Sequence, residues 1–589
     1  MSVSVPHWWQ VVSVPREGNN VHPWTRQDWD QLAHVLRLVE YRWLQALLVL
    51  VALVGVVLLI RAWPRLQRLA ATDRWLLFGA LAVGVLLRAL WAEPVMIHEN
   101  YCGVGRLACA ADPPCASVTR NHGVVSFAGY NLIMGLTGGS DRGVLAANVV
   151  LMGLVHLLLL FALVRDATGS PRAGVLAAWC LALLPVHIRM SPTESFFPLA
   201  SALLMGSVLA LRAFAARPEI PRALLASVLV ALTVQSAKAY NLQAVFGLGV
   251  YLLALWRGGR VRLGPLVTAA GVFALLCAVH YARVFLEPVQ AGSYLPAGLR
   301  GYMDQMLWNN LFLERRATPL LFLAAWPLGM FLVARGGRRG GLDLLLLLLG
   351  FSVVFTTSDP GDTTWPTRIR MQMNFAPFIA AMAGVTMHVA LRRPVGRLAL
   401  AVLAVASLWQ VPAHDALVRE VLVPGLEARY LERTLPTLPP LDVLVTVDHT
   451  LPFEAARRGD PVETHFPLHT LRRYQGRAVE WVRLGRFLQE RARYEGQRAV
   501  LYLGTTAYAR LPEEIEEAGP DEGLRRAVVE ALAPLILTPL PGTEEQIPAV
   551  NPDRVRNHYA MDEIPVGFFR VEFREPAPAG SGDPPAPGS

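Results

Sequence analysis

The sequence predicts a polytopic α-helical membrane protein of about twelve transmembrane helices, followed by a mixed α/β domain outside the membrane. Three observations predict it. Of 589 residues, 53% are hydrophobic and only 17% charged, where a soluble chain carries about 25% charged residues. Apolar runs of near-spanning length recur before residue 411. The charge divides at the same place: residues 411–589 carry 20 basic and 27 acidic groups, a net of −7, while the preceding part carries +16. Disorder, coiled coil, collagen and a purely cytosolic enzyme are excluded.

A span needs roughly 20 apolar residues, because each rises 1.5 Å and the hydrocarbon core is ~30 Å thick. Twelve runs approach that length: 43–60, 75–92, 144–164, 173–190, 196–215, 223–235, 242–256, 264–282, 319–333, 342–356, 374–391 and 398–411. They divide the chain into a polar N-terminal segment 1–42, a transmembrane domain 43–412 with an outer loop 93–143, an outer domain 413–575, and a tail 576–589. No cleavable signal is expected, since the first apolar run begins only at Trp43.

Arginine sets the orientation. Arg61, Arg65, Arg68 and Arg74 fall in one short loop, Arg165 and Arg172 in another, then Arg212, Arg217 and Arg222. Arg257, Arg260 and Arg262, then Arg335, Arg338 and Arg339, then Arg392, Arg393 and Arg397 continue the series. All six loops fall on one side of the twelve-span reading, so that side is expected to be the cytoplasm. The protein is expected to be integral to the plasma (inner) membrane, with both termini outside.

Past residue 411 the pattern changes. Residues 441–447 and 499–503 read as buried strands and 568–573 as an alternating one, while 472–493 has helical spacing of apolar residues. The Pro/Gly/Ala/Ser-rich tail reads as disordered. No basic stripe interleaved with aromatics occurs, so nucleic acid is not an expected partner. Cys180 and Cys277 fall in spans and read as small packing residues. Cys102, Cys109 and Cys115 fall in the first outer loop, where one disulfide is allowed. A zinc site there would need His98 or His122 as a fourth ligand.

The chemistry-bearing candidates collect at outer span ends. Glu99 follows the second span, with His98 beside it and Glu93 close by; a carboxylate at the bilayer rim is placed to act as a general base. An ordinary solvated loop acid is the competing reading. Lys238 is the one lysine among 54 basic residues. Together with Arg368 and Arg370 it falls where a snorkelling cation reaches phosphate depth; headgroup anchoring is the alternative for the two arginines. Arg88 lies inside the second span near its outer end, where it either snorkels or pairs with Glu93 or Glu99. His187 and His280 read as satisfied polar residues. Asp359 and Asp362 lie in a turn-rich loop, and residues 299–312 read as an amphipathic helix on the membrane surface.

Five landmarks in order resemble one superfamily. Leu86-Leu-Arg88 followed by His98-Glu-Asn-Tyr101 looks like its opening helix and acidic signature. His122-Gly-Val-Val-Ser-Phe-Ala-Gly-Tyr130 with Leu136-Thr-Gly-Gly-Ser140 is similar to the lead into its third helix. Leu184-Pro-Val-His-Ile-Arg-Met-Ser191 with Glu194-Ser-Phe-Phe197 is similar to its proline-ended helix and outer acidic turn. Thr233-Val-Gln-Ser-Ala-Lys238 and Arg370-Met-Gln-Met-Asn-Phe-Ala-Pro377 complete the series. The chain thus resembles the GT-C integral-membrane glycosyltransferases, the protein O-mannosyltransferase and aminoarabinose transferase group.

That resemblance implies a GT-C-like fold and transfer of a sugar from a polyprenyl-phosphate donor to a glycan, lipid or protein acceptor. It implies Glu99 as base, His98 in place of the family's usual aspartate, and Glu194 as an orienting acid. Lys238, Arg368, Arg370 and Arg88 would then bind substrate. No cofactor is certain; a divalent metal is possible, and the aspartate-to-histidine change leaves its use open. A transporter or lipid flippase is the second class of function, and a membrane-anchored scaffold with a binding outer domain the third.

Overall fold

The computed structural model describes residues 26–92, 124–138, 141–192, 197–236, 263–286, 318–336 and 376–419. It also describes shorter pieces at 248–249, 252–253, 256, 429–431, 433–438, 443–446, 462–464, 499–503, 535–548 and 563–573. These fall into two compact units, divided at Val418 and Arg419.

The first unit is helical. It opens with α1 (Arg26–Gln67) and α2 (Ala71–Ala89), then α3 (Val124–Leu136). Next come α4 (Asp141–Val150) and α5 (His156–Thr168), joined through a π-helical turn, Leu151–Val155. Then follow α6 (Pro171–Ala182), α7 (Pro185–Met190), α8 (Phe197–Ala216) and α9 (Ile220–Val234). The unit closes with α10 (Leu263–Leu286), α11 (Leu320–Gly336), α12 (Ala376–Ala390), α13 (Pro394–Leu408) and α14 (Val411–Arg419). Among the described residues, four helical stretches are long and apolar enough to cross a membrane: Leu38–Gln67, Arg142–Thr168, Phe197–Ala216 and Leu263–Ala282. Five apolar helices are shorter. The protein is a polytopic helical membrane protein.

Several helix starts follow standard chemistry. Ser170 caps α6, its Oγ accepting from Ala173 N–H at 3.3 Å, and Pro171 occupies the first turn, where a missing N–H costs nothing. Gly169 closes α5 at φ 69°, a left-handed geometry that glycine adopts without Cβ strain. The core runs along α12, where every residue from Ala376 to Met387 is buried. Small residues let its neighbours approach. A Cβ on Gly384 would stand 2.5 Å from Ala177 N in α6, and one on Gly329 in α11 only 2.2 Å from the Met382 carbonyl oxygen. α13 buries none of its residues, as expected of a helix surrounded by lipid.

Four of the basic turns gather at one end. Arg172 at the start of α6 meets Asp73 at the start of α2 at 2.6 Å. Arg212 near the end of α8 meets Asp166 near the end of α5 at 2.9 Å. Ser170 Oγ lies 3.2 Å from His388 Nε2 in α12, and Arg392 Nη2 lies 2.7 Å from the same nitrogen. Four of the six arginine-bearing turns are therefore bonded to one another.

Elsewhere the structure departs from the sequence reading. α11 and α12 run antiparallel, since Ala325 meets Thr386 and Gly329 meets Met382. The alternating twelve-span reading, with one crossing at 342–356 between them, requires them parallel; an apolar run that short does not by itself define a crossing. Arg335 accordingly lies toward the end opposite Arg392. The parallel course expected of α9 and α10 is present, Ser227 meeting Ala269 and Gln235 meeting Cys277. The stretch 93–143, read as a loop, contains α3, which is too short to span and is buried from Val124 through Tyr130. α1 begins at Arg26, upstream of the span read at 43–60. The span read at 173–190 is broken between α6 and α7.

The second unit contains a mixed sheet of β1 (Val443–Thr446), β2 (Val462–Thr464), β3 (Ala499–Leu503), β4 (Leu535–Pro539), β5 (Glu545–Pro548) and β6 (Glu563–Phe573). The order is β2-β1-β3-β6-β4, with β5 also on β6. β1 pairs parallel with β2 and β3; β6 pairs antiparallel with β3, β4 and β5. Two of the expected strands are β1 and β3, and 568–573 is the second half of the longer β6. The helix read at 472–493 lies outside the described residues. Between β4 and β5 the chain bulges at Gly542 (φ 75°). Thr543 stitches the bulge to β6, its Oγ1 donating to Leu540 O at 2.8 Å and accepting from Phe568 N–H at 3.3 Å.

Candidate active site

The structure places the helix ends before it places any reacting group. α2 and α6 run side by side in parallel, Asp73 against Arg172 and Arg88 against Leu181. α12 runs opposite to α6, so its first residues lie level with the end of α6. α8 ends with Arg212 among the basic turns, and Ser207 Oγ lies 2.8 Å from Thr233 Oγ1 on antiparallel α9. α9 therefore ends away from those turns. Four described chain ends, after α2, after α7, after α9 and before α12, share the end of the helical unit opposite the basic turns. The sequence continues from them to Glu99, Glu194, Lys238, and back to Arg368 and Arg370.

Of the catalytic and substrate-binding residues expected from sequence, Arg88 alone is described. Glu99, His98, Glu194, Lys238, Arg368 and Arg370 lie outside the described residues, as do Glu93, His122, Asp359, Asp362, the 299–312 stretch and the three loop cysteines. Among the described residues no cluster of three or more His, Cys, Asp or Glu side chains is arranged to hold a metal ion.

Arg88 is 0% exposed, and each of its five N–H groups has an acceptor. Nε donates to Ser191 Oγ (3.2 Å), Nη1 to Gly84 O (2.7 Å) and Ala182 O (3.4 Å), and Nη2 to Leu181 O (3.2 Å) and to His187 Nδ1. The local sequence explains the match. In a continuous helix the Leu181 carbonyl would accept from the residue four places on, but that residue is Pro185, which has no N–H. Arg88 gives this carbonyl, which also accepts from Leu184 N–H at 3.4 Å, the donor that Pro185 cannot supply. A direct contact between Arg88 and a substrate phosphate would have to displace one of these bonds.

A chain of imidazoles continues from the guanidinium. Arginine only donates, so His187 Nδ1 accepts, and the ring's proton resides on Nε2. That nitrogen faces His156 Nδ1 at 2.9 Å, and His156 Nε2 faces Ser201 Oγ at 3.5 Å. The rings stack at 5.1 Å between centroids, and both histidines are 0% exposed. These tautomers are assigned from the network. His156 is delivered by the π-turn just before it, a feature common where a helix carries function. Gly84 and Gly153 allow the approach: a Cβ on Gly153 would stand 2.8 Å from Val85 Cα, and one on Gly84 2.8 Å from Gly153 O.

A second buried pair joins α1 and α10. His280 Nδ1 in α10 is 2.7 Å from Glu40 Oε1 in α1, with exposures of 3% and 1%. Cys277, one turn before His280, receives a contact from Gln235 Nε2 at 3.5 Å, and Lys238 follows Gln235 by three residues. Sequence reading found His187 and His280 as satisfied polar residues but passed over Glu40, His156 and Arg189. His156 is the one ionisable side chain of its apolar run, 144–164, which is the signal that would have found it; Glu40 lies just before an apolar run and Arg189 inside one, each with another ionisable group close by. Arg189 is also 0% exposed.

The fold is shared with a solved protein. ArnT from Cupriavidus metallidurans in the apo state superposes with a TM-score of 0.51 at 16% identity, covering 75% of this chain and 95% of that one. ArnT bound to undecaprenyl phosphate gives a TM-score of 0.48 at 15% identity with the same coverage. The archaeal oligosaccharyltransferase AglB from Archaeoglobus fulgidus, in complex with an inhibitory peptide and a dolichol-phosphate, gives 0.45 at 11% identity, covering 77% and 72%. No family profile matches the chain, and no curated protein does. At the level of the fold, the likeness to ArnT agrees with the expectation from the ordered landmarks.

Proposed function

We propose that this chain is a membrane glycosyltransferase that moves a sugar from a polyprenyl-phosphate donor to a hydroxyl acceptor at the outer membrane surface. One observation carries the reading: the four chain ends that lead to Glu99, Glu194, Lys238 and the Arg368–Arg370 pair share one end of the bundle, opposite the arginine-rich turns. The fold shared with ArnT fits it, though a fold hosts more than one activity and the residues must carry the chemistry.

Glu99 takes the proton from the acceptor hydroxyl, with His98 beside it. The hydroxyl oxygen attacks the anomeric carbon as the bond to the lipid-phosphate oxygen breaks, inverting the configuration. Glu194 orients the acceptor or the sugar. The leaving phosphate gains charge as the bond breaks, so Lys238, Arg368 and Arg370 lower the barrier most when fixed around it. Arginine's planar fork matches two phosphate oxygens, and lysine adds a point charge. Arg88 holds the end of α2 from within the bundle. The domain after residue 413 lies outside the membrane and recognises the acceptor.

A panel of radiolabelled polyprenyl-phosphate sugars, incubated with purified protein, identifies the donor. Glu99→Gln then lowers turnover by about 100-fold or more if Glu99 is the base, with the protein still folded. Undiminished transfer by that variant removes Glu99 from the mechanism. Lipid movement across vesicles without any glycosidic bond formed would favour a flippase instead.

A further inference from the structure

We infer that His156 and His187 are positioning residues, a buried imidazole pair that fixes α7 against α2 and so sets the two chain segments carrying Glu99 and Glu194. This rests on the glycosyltransferase reading for its catalytic consequence but not for its structural one. α7 is a six-residue helix, Pro185–Met190, cut off from α6 by the break at Leu183 and Leu184. A helix that short has little hydrogen bonding of its own to hold its direction. What holds it is lateral: Arg88 from α2 meets His187 and Ser191, and His156 from the start of α5 meets the far side of the same ring.

The arrangement is directional. Protons point from Arg88 to His187, from His187 to His156, and from His156 to Ser201, so each ring has one nitrogen donating and one accepting. An apolar replacement at position 156 leaves the His187 Nε2 proton without its acceptor in a buried site, and the ring can recover a partner only by turning away from Arg88. α2 ends ten residues before Glu99, and α7 ends four residues before Glu194. Loss of the shared ring therefore loosens both segments together. The π-turn and the Gly84–Gly153 crossing are the backbone features that bring His156 to this position.

The test compares His156→Leu with His156→Asn in the full-length protein. Asparagine can offer its side-chain oxygen near the place of Nδ1, so it restores the acceptor that leucine lacks. Expected for His156→Leu is a fall in kcat of about 100-fold, the scale of a small misplacement of reacting groups, with donor KM little changed. His156→Asn should return most of that activity. In hydrogen–deuterium exchange, His156→Leu should speed exchange several-fold in 185–191 and 86–91 while the rest of the helical unit keeps its protection. Loss of activity only in proportion to unfolded protein, or failure of a folded His156→Asn to restore it, overturns the inference. If the native chain transfers no sugar from any donor, the function falls, and the exchange measurement still decides the clamp: uniform or unchanged exchange ends it.

Discussion

Arg88 shows how much a single side chain can be asked to hold inside a membrane. Its burial alone would be prohibitive for an unpartnered guanidinium, and the bundle offsets that cost with five acceptors drawn from α2, α6, α7 and the turn after it. Lysine keeps the charge but has three protons on one atom and no fork. Arg88→Lys leaves at least two of those acceptors unfilled, at about 1–3 kcal/mol for each buried orphan. The expected outcome is a lower thermal midpoint in detergent, read by tryptophan fluorescence. An unchanged midpoint would mean that water or neighbouring groups replace the fork. From sequence, the position of Arg88 near a span end was readable; its partners were not, because Leu181, Ala182, His187 and Ser191 are brought to it only by helix packing roughly a hundred residues along the chain.

At the scale of elements, apolar runs located α2, α5, α6, α8, α9, α10, α11 and α12, since hydropathy alone decides which segments leave water. Hydropathy was blind to sense and to breaks. The antiparallel course of α11 and α12 depends on which glycines meet which backbones, and the division of α6 from α7 turns on one proline. α3 escaped because thirteen residues cover only about 20 Å, too little for a crossing yet enough for a buried helix. In the second unit, β1 and β3 were legible as apolar runs, while β4 and β5, of similar length but interrupted by Thr538, Glu545 and Gln546, were legible only through their pairing with β6. Close helix approach gives a matched pair of expectations. Gly384→Ala sets a Cβ 2.5 Å from Ala177 N and should destabilise by about 1–3 kcal/mol as the helices part. Gly206→Ala in α8 meets nothing nearer than 3.7 Å, and should be neutral or stabilising by about 0.5–1 kcal/mol, because alanine restricts the unfolded chain. Chemical or thermal denaturation of both variants, side by side, checks the pair.

For the molecule as a whole, sequence and structure share a sidedness of charge at four of the six turns, while the Arg335 turn lies toward the other end. Arginine bias alone marked one face, and Arg172–Asp73, Arg212–Asp166 and Ser170–His388 tie four of the marked turns together. The candidate site was legible only as a list of span ends; that four of those ends converge required the helix directions. The orientation yields its own measurement. Arg393, exposed in the turn between α12 and α13, is changed to cysteine in a background where Cys102, Cys109 and Cys115 are serine. That thiol should resist a membrane-impermeant maleimide in spheroplasts and react in inverted vesicles. Reaction in intact spheroplasts would put the arginine-rich face outside and the proposed chemistry on the wrong leaflet.

The π-turn at Leu151–Val155 has one more consequence, for how this helix can change. Such a turn holds one residue more than the ordinary helical path needs, so removing a single residue there would heal into a regular α-helix. The upstream stretch would then rotate by about 100° relative to His156, carrying Asn148 away from the Tyr130 hydroxyl it now donates to at 3.2 Å. A one-codon deletion would leave the helix sound and its two faces mismatched, so the spare residue works as a phase shifter between two sets of neighbours.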